Sequence, residues 1–148
     1  MEPYRIRLKG PWNYRWLKTL SSIKESGSAE KTDFLTEGTA QMPMSWQNLF
    51  GEKEGIAQFE RRFQPPTNLE PNEQIAIVFD GIGGSGTVAL NGQSLGKIET
   101  SEKIQRFDIT NYLQPSNLLL VEITCDCDFS FNAPAGLYET VAIEISKE

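Results

Sequence analysis

The sequence predicts an all-β antiparallel sandwich, and three observations carry that expectation: hydrophobic residues recur with a period of two, turn residues interrupt at short intervals, and an Asn-Gly pair stands between alternating runs. A strand sends successive side chains to opposite faces, so alternation marks a face turned toward a core, whereas a helix would need a period of 3.6. No long helical pattern breaks the series. Strand-length runs separated by turns belong to a sandwich or a barrel.

Taken in order, Trp12, Tyr14 and Trp16 alternate near the start. Ser21 to Lys31, rich in Ser, Gly, Lys and Glu, is expected to be a mobile surface loop. Pro65-Pro66 and Glu70-Pro71-Asn72 mark turns before the alternating Ile75, Ile77 and Phe79. Glycines from Gly81 to Gly86 form the next break, followed by Val88 and Leu90. Asn91-Gly92 is the strongest short-range hairpin signal, because both central residues of a type I′ turn need positive φ. Val88–Leu90 and Gln93–Ile98 should therefore pair antiparallel. Gln114-Pro115-Ser116-Asn117 leads to Leu119, Val121 and Ile123, and Asn132-Ala133-Pro134-Ala135-Gly136 precedes Val141, Ile143 and Ile145. Val88, Leu90, Leu119, Val121, Ile143 and Ile145 are expected to point into the core.

Composition narrows the function classes. A chain of 148 residues can bury one core, and neither a repeat nor a linker divides it, so residues 1–148 are read as a single domain. A net charge of −6 opposes binding to phosphate backbones, which excludes nucleic acid as an expected partner. No apolar run approaches the ~20 residues that span a bilayer, and Met1 to Lys9 lacks the apolar stretch of a secretory signal. A soluble, cytoplasmic protein without a membrane partner is expected. The chain has no histidine, which removes the usual base of hydrolytic triads and the commonest zinc ligand. Neither a metal nor a cofactor is expected.

Several motifs invite a sharper reading. Gly81-Ile82-Gly83-Gly84-Ser85-Gly86 matches G-x-G-x-x-G after a strand, but a dinucleotide site needs the last glycine to open a helix. Thr87-Val88-Ala89-Leu90 is β-branched and alternating instead, so the glycines are read as a tight strand connection. Ser85 has no histidine to activate it and is read as a turn serine. Glu99, Glu102, Asp108, Asp126 and Asp128 could supply a carboxylate pair but are read as solvated strand ends. Cys125 continues the face of Leu119, Val121 and Ile123 and is read, with Cys127, as a reduced thiol.

Aromatic residues give the better lead, since flat rings can carry the C–H face of a ligand while polar neighbours fix its orientation. Trp46 and Asn48, with Phe129 and Asn132 from a Pro/Gly-rich loop, are the candidate ligand-binding residues.

A collinear series of segments adds a resemblance. Leu8-Lys9-Gly10-Pro11-Trp12, Met42-Pro43-Met44-Ser45-Trp46, and Gly55 to Phe63 with Phe59, Arg61 and Phe63 come first. Phe79-Asp80-Gly81-Ile82, Val88-Ala89-Leu90-Asn91-Gly92, Phe107 to Leu113, Asn117 to Val121 and Gly136-Leu137-Tyr138 follow. In this order they resemble the N-terminal, galactose-binding-like jelly-roll domain of family 2 glycoside hydrolases, the β-galactosidases and β-glucuronidases.

The resemblance implies a jelly-roll sandwich and no catalytic residue here, because that family's glutamates sit on a following barrel of about 250 residues. It implies a non-catalytic carbohydrate-binding-like module, with a structural sandwich that docks a separate subunit or a second copy as the alternative. The sequence departs from the family pattern at Glu60 and Glu139, where arginine is common.

Overall fold

The structure is a computed structural model and describes residues 4–19, 37–101, 103–126 and 134–147. Among the described residues ten strands and one short helix follow in the order β1 (Tyr4–Arg7), β2 (Trp12–Thr19), β3 (Glu37–Ala40), α1 (Trp46–Phe50), β4 (Gly55–Phe63), β5 (Glu73–Phe79), β6 (Ser85–Leu90), β7 (Gln93–Ile98), β8 (Gln105–Asp108), β9 (Asn117–Cys125) and β10 (Val141–Lys147). They form a four-stranded sheet ordered β1-β10-β5-β8 and a six-stranded sheet ordered β3-β2-β4-β9-β6-β7. Neighbouring strands pair antiparallel throughout. The result is a jelly-roll sandwich, as the period-two pattern requires.

Alternation sets which side chains enter the core. Along β9, Asn117, Leu119, Val121, Ile123 and Cys125 are buried while the residues between them are half-buried. All six core residues expected from the pattern are buried, none more than 8% exposed. Each such aliphatic side chain contributes roughly 1.5–3 kcal/mol of transfer free energy. Trp12, Trp16, Phe59 and Phe79 fill the same space with larger area.

The Asn-Gly turn forms as expected, with φ of 53° at Asn91 and 82° at Gly92 and with Leu90 opposite Gln93. Asn91 also serves as a clasp. Its Nδ2 donates to Asn117 Oδ1 at 2.9 Å, and its Oδ1 accepts from Leu118 N at 2.8 Å, tying the turn to the start of β9. Asp108 and Thr110 satisfy local backbone in a similar way: Ile75 N donates to Thr110 Oγ1 at 2.9 Å, and Thr110 N donates to Asp108 Oδ1 at 2.9 Å.

The glycine-rich stretch leads into β6 rather than into a helix. Gly83 bridges to Gly136, and a Cβ placed on Gly83 would lie 2.6 Å from Pro134 O. On Gly86 it would lie 1.8 Å from Glu122 O. These glycines let backbones approach.

Helix α1 was not expected. Ser45 caps it, its Oγ accepting from Asn48 N at 3.2 Å, and five residues are too few to show a helical period. The expected loop at Ser21 to Lys31, and Cys127, lie outside the described residues.

Candidate functional site

Of the four residues expected to form a ligand surface, Trp46 and Asn48 lie among the described residues. Trp46 is 0% exposed. Its ring packs on Trp16 and Phe50, with centroids 5.5 and 5.0 Å away, and its Nε1 donates to Lys53 O at 2.8 Å. The platform expectation at Trp46 is therefore corrected: α1 turns the indole inward, where its area is removed from water and its single donor is satisfied.

Asn48 is exposed on α1, its amide 3.6 Å from Met44 Sδ. Phe129 and Asn132 lie outside the described residues. The chain just beyond them is held against the helix: Trp46 N donates to Ala135 O at 2.7 Å, and Ala135 N donates to Gln47 Oε1 at 3.1 Å.

A different surface collects the polar groups. On β2 the aromatics Trp12, Tyr14 and Trp16 share one face, which leaves Asn13 and Arg15 on the opposite, outer face of the six-stranded sheet. On β4 the buried Ala57 and Phe59 leave Gln58 and Glu60 outward in the same way. Register then aligns two rows, Thr39–Asn13–Glu60 and Glu37–Arg15–Gln58, across β3, β2 and β4. These six residues line an open groove of about 380 Å³. Arg15 Nε lies 3.4 Å from Glu37 Oε1, both side chains more than half exposed. The side chains of Asn13, Thr39, Gln58 and Glu60 have no hydrogen bond or ion pair among the described residues. The sequence signal for this surface was the polar residue between successive aromatics of β2, Asn13 and Arg15.

The densest charge cluster lies on the outer face of the four-stranded sheet. Arg5 donates through Nη1 and Nη2 to the two oxygens of Asp80, each at 3.0 Å, and Arg106 grips Glu144 from β8. The hydrogen bond from Arg106 holds the Glu144 carboxyl below its usual value, outweighing the opposing effect of desolvation. An acid–nucleophile carboxylate pair needs one member held protonated, and here both carboxylates are ion-paired. The cluster ties strands together. No group of three or more His, Cys, Asp or Glu suited to a metal occurs among the described residues, and no helix there is long and apolar enough to cross a membrane.

Comparison with known proteins supplies the context for this geometry. Residues 19–134 match the family model described as glycosyl hydrolase 2 galactose-binding domain-like. A β-galactosidase of Leuconostoc mesenteroides is 26% identical over 133 residues, which cover 74% of this chain and 12% of that enzyme.

Among solved structures, the FMN-binding β-glucuronidase of Facaelibacterium prausnitzii L2-6 aligns with a TM-score of 0.72 at 19% identity, covering 98% of this chain and 23% of that one. The β-glucuronidase of Bifidobacterium dentium gives 0.71 at 19% identity, covering 98% and 30%. These structural likenesses show the shared fold. The chain thus spans about an eighth of the matched β-galactosidase and less than a third of the two β-glucuronidases. With the family model matching over most of its length, this chain belongs to the galactose-binding-like domains of family 2 glycosyl hydrolases.

Proposed function

We propose that the chain is a non-catalytic carbohydrate-binding module, which holds sugar on the groove over β3, β2 and β4. The observation that carries this reading is the six-residue polar array on that groove. Sugar hydroxyls both donate and accept. Asn13 and Gln58 each present two N–H donors and a carbonyl acceptor, Glu60 adds an acceptor, and Thr39 adds a hydroxyl that does both. The groove falls within the ~300–1,000 Å³ range of small-ligand clefts. Strands hold these groups more rigidly than loops would.

Tyr14 supplies aromatic surface to the groove and the other side chains lining it are polar or charged, so binding rests mainly on hydrogen bonds worth about 1 kcal/mol each. Affinity is accordingly expected near the millimolar level, about −4 kcal/mol. Multivalent display compensates for weak single-site binding. A glycan microarray probed with clustered protein should retain neutral oligosaccharides, and the double variant Asn13→Ala, Gln58→Ala should lose them. Retention unchanged in that variant would remove the groove from the account. The matched relatives are called β-galactosidase and β-glucuronidase, but this chain alone should not turn over nitrophenyl β-galactoside or β-glucuronide.

A second reading, a sandwich that docks another subunit or its own copy, is favoured by one observation. A cleft of about 560 Å³ beside β1 combines exposed Tyr4 and Leu69, at 64% and 37%, and Pro65 and Pro66 with a polar side that includes Glu73 and Lys147. Apolar groups left in water invite a protein partner. Light scattering that shows a stable dimer, broken by Tyr4→Ser, would support it.

A further inference from the structure

We infer that the groove selects uncharged sugars over uronates, with Glu60 as the residue that discriminates. This deepens, and rests on, the carbohydrate-binding reading of the same groove. Three charged side chains line it: Arg15, Glu37 and Glu60. Arg15 faces a carboxylate, Glu37 Oε1 at 3.4 Å, so their opposite charges offset one another in the charge of the lining.

Glu60 has no such counter-charge. Opposite it stand Asn13 on β2 and Leu120 on β9, both uncharged, and its outward neighbours on β4 are Gln58 and Arg62. Among the described residues no ion pair joins Glu60 to Arg62, which is exposed and is not among the residues lining the groove. The lining therefore carries a net negative charge with Glu60 at its half-buried side. A hydroxyl can donate a hydrogen bond to that carboxylate. A second carboxylate offers no proton and is repelled. One like-charge contact near 4 Å in a water-like medium weakens binding about fivefold.

The test is a chemical-shift titration of the whole chain with galactotetraose, cellotetraose and mannotetraose, each beside its counterpart oxidised at C6 to the uronate. The expected result is that neutral chains bind and their oxidised counterparts bind about fivefold more weakly at low salt, the gap narrowing near 1 M salt, where the screening length falls to ~3 Å. Glu60→Gln keeps the shape and removes the charge, so the ratio of neutral to oxidised affinity should shrink to about twofold or less, whatever neutral binding loses with the carboxylate acceptor. Uronates that bind the native chain as tightly as neutral chains, or a gap that survives Glu60→Gln, would overturn the role of Glu60 and leave sugar binding standing. Failure of every neutral and oxidised chain to bind would overturn the carbohydrate reading and this inference with it.

Discussion

Arg106 and Glu144 meet as a two-point pair: Nε donates to Oε1 at 2.7 Å and Nη2 to Oε2 at 3.3 Å. Arg5 reaches the same carboxylate through Nε at 3.4 Å while holding Asp80 with its other nitrogens. Three strands, β1, β10 and β8, are thereby joined through one side chain that is only 9% exposed. β1 already pairs with β10, and β10 is linked to β8 through β5, so the network adds side-chain cohesion to a narrow sheet whose two edges are four residues long.

Stability should depend on pH through Glu144. Its folded-state value is lowered, first by the hydrogen bond from Arg106, so its contribution is complete above the ordinary carboxylate value and is lost as pH falls through the lowered one. Glu144→Gln should cost about 1–2 kcal/mol at pH 7, less than for a fully buried pair because Arg106 remains half exposed. As pH falls through the lowered value the native carboxyl takes up a proton, and urea unfolding at pH 7 and in acid should find the gap between the variant and the native chain closing. A gap of the same size at both pH values would contradict the assignment.

Trp46 should matter to folding rather than to ligand affinity. Trp46→Ala removes a ring packed on Trp16 and Phe50 and should cost about 3–5 kcal/mol. Trp46→Phe keeps much of the contact but loses the donor to Lys53 O and should cost less. Urea midpoints would rank the two. A stable, folded Trp46→Ala chain with unchanged midpoint would mean that the indole does not fill the end of the sandwich.

Gly86→Ala is expected to be among the most damaging single-methyl additions. The new carbon would sit 1.8 Å from Glu122 O across the β6–β9 pair, so the two strands must separate or the chain must lose that pairing. By contrast, Gly92→Ala has open space around its added carbon and strains only the turn, where φ is 82°. Thermal unfolding should show the larger loss at Gly86. Equal losses would place the constraint in backbone conformation instead of close approach.

Much of the fold could be read from residue order because alternation, turns and core burial are local consequences of one strand facing one core. Leu119, Val121 and Ile123 illustrate this: their spacing alone fixed a face, and all three are buried. Trp46 was misread because sequence gives a ring's presence but not its direction. Whether Trp46 faces water depends on α1, a five-residue helix below the length at which periodicity speaks. The groove was missed for a related reason. Asn13 and Glu60 lie 47 positions apart in the chain, and only the register of β2 against β4 sets them side by side.

The most direct test of carbohydrate binding at the groove is a map of backbone amide shifts as galactotetraose is added to the intact, isotope-labelled chain. The expected result is a set of progressive shifts concentrated at the outward positions of β2, β3 and β4, strongest around Asn13, Arg15, Gln58 and Glu60, and reduced at least about fivefold in apparent affinity by Asn13→Ala with Gln58→Ala. Because these side chains face solvent or are half-buried without partners, the same variant should keep the native urea midpoint. Shifts confined to α1 and residues 134–137, with the groove silent, would contradict the assignment and return the binding surface to the helix end of the sandwich.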